Sequence, residues 1–127
     1  MIRLLVVDDE ANIRLLYTEE LKDEGYEVVT AASSAEAVEK LQGSTFDLAV
    51  LDIKLKNESG IELLQKLVKE RHNMPVVLCS AFSCYKDDFS AWLADGYVVK
   101  SGDLTELKHE IARVLAKKAQ KGKAGEK

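Results

Sequence analysis

Short apolar runs recur along the chain at Leu4-Leu5-Val6-Val7, Tyr26-Glu27-Val28-Val29, Leu48-Ala49-Val50-Leu51, Val76-Val77-Leu78-Cys79 and Tyr97-Val98-Val99, each with room for a helix after it. Four of the five lack any alternation of apolar and polar residues. Such runs suit strands buried on both faces, as in a parallel sheet covered by helices. The intervening segments carry helical spacing. Ile13, Leu16, Tyr17 and Leu21 form one stripe, which stops before Gly25, a residue suited to the left-handed turn after a helix. Val38 and Leu41 follow a Ser33-x-x-Glu36 capping box and end at Gly43. Ile61, Leu64, Leu67 and Val68 make a third stripe after Gly60, and Leu104, Leu107, Ile111, Val114 and Leu115 make another after Asp103, which can cap it. A further helix is expected across Ser83 to Asp95, around Phe89, Trp92 and Leu93. The pattern predicts five β-α units wound by right-handed crossovers into an open α/β sheet with helices on both sides. Pro75, the only proline, is expected to open the fourth strand, where a missing N–H does least harm.

A chain of 127 residues, 46% hydrophobic and 31% charged, is the size of one domain with one core. No stretch approaches the roughly 20 apolar residues of a membrane span, and the start of the chain does not resemble a signal peptide, so a cytoplasmic protein without membrane contact is expected. Cys79 and Cys84 are too few for a disulfide framework and poorly spaced for zinc, and read as free thiols. The net charge of -4 conceals an asymmetry. Residues 1–116 carry 13 Lys and Arg against 21 Asp and Glu, while residues 117–127 carry five Lys and one Glu. An acidic body disfavours direct contact with nucleic acid. Residues 1–116 are expected to form the domain, and residues 117–127 a flexible Lys-rich tail.

In a parallel sheet the C-terminal ends of the strands share one edge, and ligands bind there where the strand order reverses. The first run ends in Asp8-Asp9-Glu10, the third in Asp52, the fourth in Ser80 and the fifth in Lys100. Carboxylates brought that close repel one another unless a cation neutralises them or one keeps its proton. Mg2+ fits, because it prefers oxygen ligands and takes one or two carboxylates together with a substrate phosphate. A carboxylate nucleophile, a metal, a hydroxyl and an ammonium together suit phosphoryl transfer to aspartate. Each residue also has a plainer reading. The acids after the first strand could cap its helix, Ser80 could cap the next one, Lys100 could be a snorkelling surface lysine, and Tyr97 could simply pack.

Taken together, Val6-Val7-Asp8-Asp9-Glu10, Leu51-Asp52-Ile53-Lys54-Leu55 leading to Ser59-Gly60, the pair Ser80-Ala81, and Tyr97-Val98-Val99-Lys100 resemble the receiver domain of two-component response regulators, over residues 2 to about 116. The resemblance implies a flavodoxin-like (βα)5 three-layer sandwich with strand order 2-1-3-4-5. It implies Asp52 as phosphoacceptor, Asp9 and Asp52 as direct Mg2+ ligands, Asp8 as a ligand through water, and the Lys54 carbonyl as a further ligand. It also implies that Ser80 and Lys100 contact the phosphoryl oxygens and that Tyr97 is the switch aromatic. The partners implied are a histidine kinase or phosphotransfer protein upstream. Downstream, output is expected in trans, or through a phosphorylation-dependent homodimer, on the face of the fourth helix, fifth strand and fifth helix. The protein is then not an enzyme acting on separate substrates.

The sequence departs from the family's pattern after Lys100, where the family usually has a proline joined by a cis peptide and this chain has Ser101. A cis bond before a non-proline residue costs about 3 kcal/mol, so either the bond is trans in a rebuilt loop or the site holds strain. Lys56 replaces another common proline, and Phe82 brings a bulky ring towards the site mouth. Two rival functions follow. A pseudo-receiver scaffold would bind partners without phosphorylation. A phosphatase of the haloacid dehalogenase type would need D-x-D at one strand end, where this chain has Asp52-Ile53-Lys54.

Overall fold

The computed structural model describes residues 1–55, 58–70, 74–80, 94–100 and 104–125. In chain order the elements are β1 (Arg3–Val7), α1 (Ala11–Asp23), β2 (Glu27–Ala31), α2 (Ser34–Gly43), β3 (Leu48–Asp52), β4 (Lys54–Leu55), β5 (Glu58–Ser59), α3 (Gly60–Glu70), β6 (Val76–Ser80), β7 (Gly96–Val99) and α4 (Thr105–Gly125). The helix expected across Ser83 to Asp95 lies almost wholly outside the described residues, as does the Asp103 cap.

Local chemistry explains the boundaries. Helix α1 ends in a Schellman turn: Gly25, at φ 93°, donates to the Lys22 carbonyl at 2.9 Å, and Tyr26 donates to that of Leu21 at 3.2 Å. That left-handed φ suits glycine, which has no Cβ to clash. Ser33 caps α2 by accepting from the Glu36 N–H at 3.2 Å, while the Glu36 carboxylate reaches back to the Ala32 N–H at 2.9 Å. Helix α4 continues to Gly125, through residues the sequence reading assigned to a tail. Alanine, lysine and glutamine are good helix formers, and no proline interrupts the run. The small antiparallel pair β4 and β5 was not anticipated, because two-residue strands carry no periodic signal.

Strands β1, β2, β3, β6 and β7 form one parallel sheet in the order β2-β1-β3-β6-β7, which is 2-1-3-4-5 counting the strands of this sheet alone. Its two faces bury different helices, giving three layers. Leu5, Val7, Ala49, Leu51 and Leu78 pack with Ala37 and Leu41 of α2 and with Leu63, Leu64 and Leu67 of α3. On the opposite face Leu4, Val6, Leu48, Val50 and Val77 pack with Tyr17 and Leu21 of α1 and with Leu107, Ile111 and Val114 of α4. Each fully buried Leu or Val contributes roughly 1.5–3 kcal/mol of transfer free energy, which is why the sequence shows unbroken apolar runs.

One edge contact is tight enough to test. The Tyr97 N–H on β7 donates to Glu110 Oε2 of α4 at 3.1 Å, and Arg113 Nε holds Glu110 Oε1 at 2.6 Å. A methyl group on Gly96 would sit 2.9 Å from both Cγ and Oε2 of Glu110. Gly96→Ala should therefore lower stability by about 1–3 kcal/mol, the usual cost of overpacking. Urea titration checks this, and an unchanged midpoint would show that Glu110 moves aside freely.

Candidate functional site

The chain runs from β1 out to β2 and then crosses back to β3, so the crevice between β1 and β3 is the point where strand order reverses. Asp8 follows the last residue of β1, and Asp52 is the last residue of β3. Both are buried, at 2% and 5% exposure. Carboxylate oxygens of Asp8, Asp9 and Asp52 lie within 4.8 Å of one another. Lys100, immediately after β7, reaches across β6 into this group. Its Nζ stands 2.8 Å from Asp8 Oδ2 and 3.0 Å from Asp52 Oδ2. Burial disfavours the charge on Lys100, but the hydrogen bonds to Asp8 and Asp52 outweigh it and hold the pKa above the ordinary lysine value.

Every polar atom of Asp8 has a partner. Its N–H donates to the Ala31 carbonyl at 3.1 Å. Its carbonyl accepts from Arg14 Nη1 at 2.7 Å, Oδ1 accepts from the Glu10 N–H at 2.9 Å, and Oδ2 meets Lys100. The plainer reading of these acids, as helix caps, fails at the cap itself. Glu10 occupies the position before α1 without a side-chain capping bond. Asp9 is half-buried and makes no hydrogen bond or ion pair among the described residues.

Ser80 ends β6 opposite Val99, and Lys54 opens β4 two residues after Asp52. The contacts of the Ser80 hydroxyl, and Phe82, Lys56, Cys84 and the Lys100–Ser101 peptide state, lie outside the described residues. Tyr97 is half-buried on β7 and packs against the core cluster shared with α2 and α3. The sequence reading did not single out Arg14. The only signal for it was a cation in the first turn of α1, off the apolar stripe and just after the acids.

A second buried contact lies close beneath the site. The Tyr17 hydroxyl and Cys79 Sγ are 3.5 Å apart, and Cys79 is registered opposite Asp52. Burial pushes the Cys79 thiol up to about 11, with Tyr17 and Lys100 pulling the other way, and burial likewise pushes the Tyr17 phenol above its usual range. Between pH 9, the ordinary thiol value, and pH 11, an unfolded chain has released the Cys79 proton while the native chain keeps it. The native state then binds more protons, so stability must fall as pH rises, by at most about 1.4 kcal/mol per unit. Lys100 acts in the same direction. Its raised value gives stability that is fully present below pH 10.5 and is lost as pH rises through the folded value. Urea unfolding at pH 8 to 11 should show this decline, and Cys79→Val should flatten part of it. A wild-type profile level to pH 11 contradicts the buried thiol.

Three hard oxygen donors at this spacing, on the rim of a parallel sheet, suit a divalent cation of the Mg2+ type. The chain belongs to the response regulator receiver domain family, whose sequence profile matches residues 4–112. It is 31% identical over 123 residues to the response regulator ArlR of Staphylococcus saprophyticus, covering 95% of this chain and 56% of that protein. The chain thus spans about half the length of the curated relatives it matches. Among solved structures it is similar to the response regulator TrrA of Thermotoga maritima in complex with Mg2+ and BeF, at 44% identity and a TM-score of 0.86, over 90% of this chain and 99% of that one. TrrA in complex with the histidine kinase ThkA aligns at 44% identity and a TM-score of 0.85, over 91% and 99%. No helix among the described residues is long and apolar enough to cross a membrane.

Proposed function

We propose that this receiver domain accepts a phosphoryl group on Asp52, with Mg2+ bound, and uses the modified state as a signalling switch in the cytoplasm. The observation that carries this reading is the convergence of Asp8, Asp9 and Asp52 with Lys100 at the switch point of the sheet. Asp9 and Asp52 would hold the metal directly, Asp8 through water, and Lys54 through its carbonyl. Bound there, the ion supplies positive charge against the acids and the incoming phosphoryl oxygens.

The chain's own groups do the rest. An Asp52 oxygen attacks phosphorus while the bond from phosphorus to the donor breaks, leaving an acyl phosphate and a departing donor group. Lys100 is protonated at physiological pH, as any lysine at or above its ordinary value is, so it can move from the carboxylates to a phosphoryl oxygen without a proton transfer. Ser80 donates its hydroxyl to another such oxygen. The change acts on this domain alone, so the protein is a switch and not an enzyme with a separate substrate.

The receiver unit is residues 1–116. Its donor is a histidine kinase or phosphotransfer protein, a reading supported by the structure of TrrA with ThkA. Its output face includes β7 and α4, with Tyr97 as the element that responds, and is read in trans or by a second copy. Incubation with acetyl phosphate tests the reading by intact mass. One phosphoryl group should add to the protein with Mg2+ present and be lost in EDTA. Equal addition in EDTA would contradict the metal, and no addition under either condition would favour a scaffold.

A further inference from the structure

We propose that Arg14 is a positioning residue for the metal site, acting through the backbone of Asp8. This inference rests on the reading of Asp8, Asp9 and Asp52 as the Mg2+ ligands. Arg14 is the fourth residue of α1, where a cation lies at the unfavourable positive end of the helix dipole, so its placement calls for a compensating contact. That contact is the Asp8 carbonyl, which accepts from Nη1 at 2.7 Å, a short charge-assisted bond.

The bond closes the turn that carries both acids. Asp8 and Asp9 lie between the end of β1 and the start of α1, and no side chain caps α1 there. Arg14 ties the first turn of α1 back to Asp8, the first residue after β1. The Arg14 backbone is fixed in turn: its N–H donates to the Glu10 carbonyl at 3.0 Å, and its carbonyl accepts from Thr18 Oγ1 at 2.7 Å. The Asp8 turn is thus held at its carbonyl by Arg14 and at Oδ1 by the Glu10 N–H, and Asp9, which has no partner of its own among the described residues, lies on the same turn within reach of Asp52.

The sign of the effect separates this role from two others. A guanidinium acting only by charge repels a cation, so its removal would tighten Mg2+ binding. A guanidinium that only supports the fold would leave Mg2+ affinity unchanged while stability falls. Positioning predicts weaker binding on its removal, by about 10-fold, in the range found when residues that orient metal ligands are lost.

The experiment measures Mg2+ affinity by calorimetric titration of the wild type, Arg14→Gln and Arg14→Lys, with urea stability in EDTA measured on the same samples. Arg14→Gln should bind about 10-fold more weakly, and Arg14→Lys, which keeps the charge but loses the planar fork, should fall between it and the wild type. Unchanged or tighter binding in Arg14→Gln overturns the proposal. If Arg14→Gln does not fold, Arg14→Lys decides: it must bind more weakly than the wild type, and equal or tighter binding overturns the proposal. A wild type that binds no Mg2+ refutes the underlying metal site itself, an outcome distinguishable from failure of the role of Arg14.

Discussion

Lys100→Ala should lower stability in EDTA by about 3–5 kcal/mol, a fall in melting temperature of roughly 10 °C or more. The lysine bridges Asp8 Oδ2 and Asp52 Oδ2, and both carboxylates are buried. Cutting it back removes the cation that two buried carboxylates share, and the penalty is that of buried charge left less compensated, beyond the worth of the lost ion pair. The same geometry predicts a reversal with metal. In the wild type, Mg2+ must share the acids with an ammonium already neutralising them. In Lys100→Ala that competing ammonium is gone, so millimolar Mg2+ should raise the stability of the variant more than that of the wild type. Urea titrations of both proteins in EDTA and in Mg2+ measure this. A loss below about 1 kcal/mol in EDTA would mean that the bridge contributes no more than an ordinary surface ion pair.

Asp9→Asn should have the opposite signature, a protein as stable as the wild type or more so in EDTA that no longer responds to Mg2+. Asp9 is the member of the cluster that Lys100 does not touch, and it has no other partner among the described residues. Its charge is therefore a cost to the fold unless a cation is bound, which is the pattern expected of a residue kept for function at the expense of stability. Neutralising it removes repulsion from Asp8 and Asp52 and also removes a hard ligand. Phosphorylation by acetyl phosphate should slow by about 100-fold or more, the scale seen when a preorganised electrostatic element is removed. Thermal melts with and without Mg2+ check the first half, and rates by intact mass check the second. A variant that keeps the full Mg2+ shift would remove Asp9 from the ligand set.

Much of this architecture was legible because its signals are local. The turn at Gly25 and the Ser33 cap are set by residues within a few positions of each other, and unbroken apolar runs identify strands covered on both faces. The gathering of Asp8, Asp52, Ser80 and Lys100 at one edge followed from a single topological fact, that parallel strands end on the same side. What sequence could not supply was the pairing within that edge. Lys100 lies 48 residues from Asp52, and no spacing rule tells whether its ammonium will meet one carboxylate or bridge two. Arg14 was missed for a related reason. Its partner is a backbone carbonyl, which every residue has, so the chemistry of the contact leaves no mark on residue type. The two-residue strands β4 and β5 were too short to show periodicity.

The central claim is that the phosphoryl group resides on Asp52, and chemical mapping of the modified residue tests it most directly. Protein treated with acetyl phosphate and Mg2+ is reduced with borohydride, which converts an acyl phosphate on aspartate to homoserine, and the digest is sequenced by mass spectrometry. The account predicts homoserine at position 52 alone, absent from Asp52→Asn and from samples in EDTA. Homoserine at position 8 or 9, or an adduct that persists in Asp52→Asn, would contradict it.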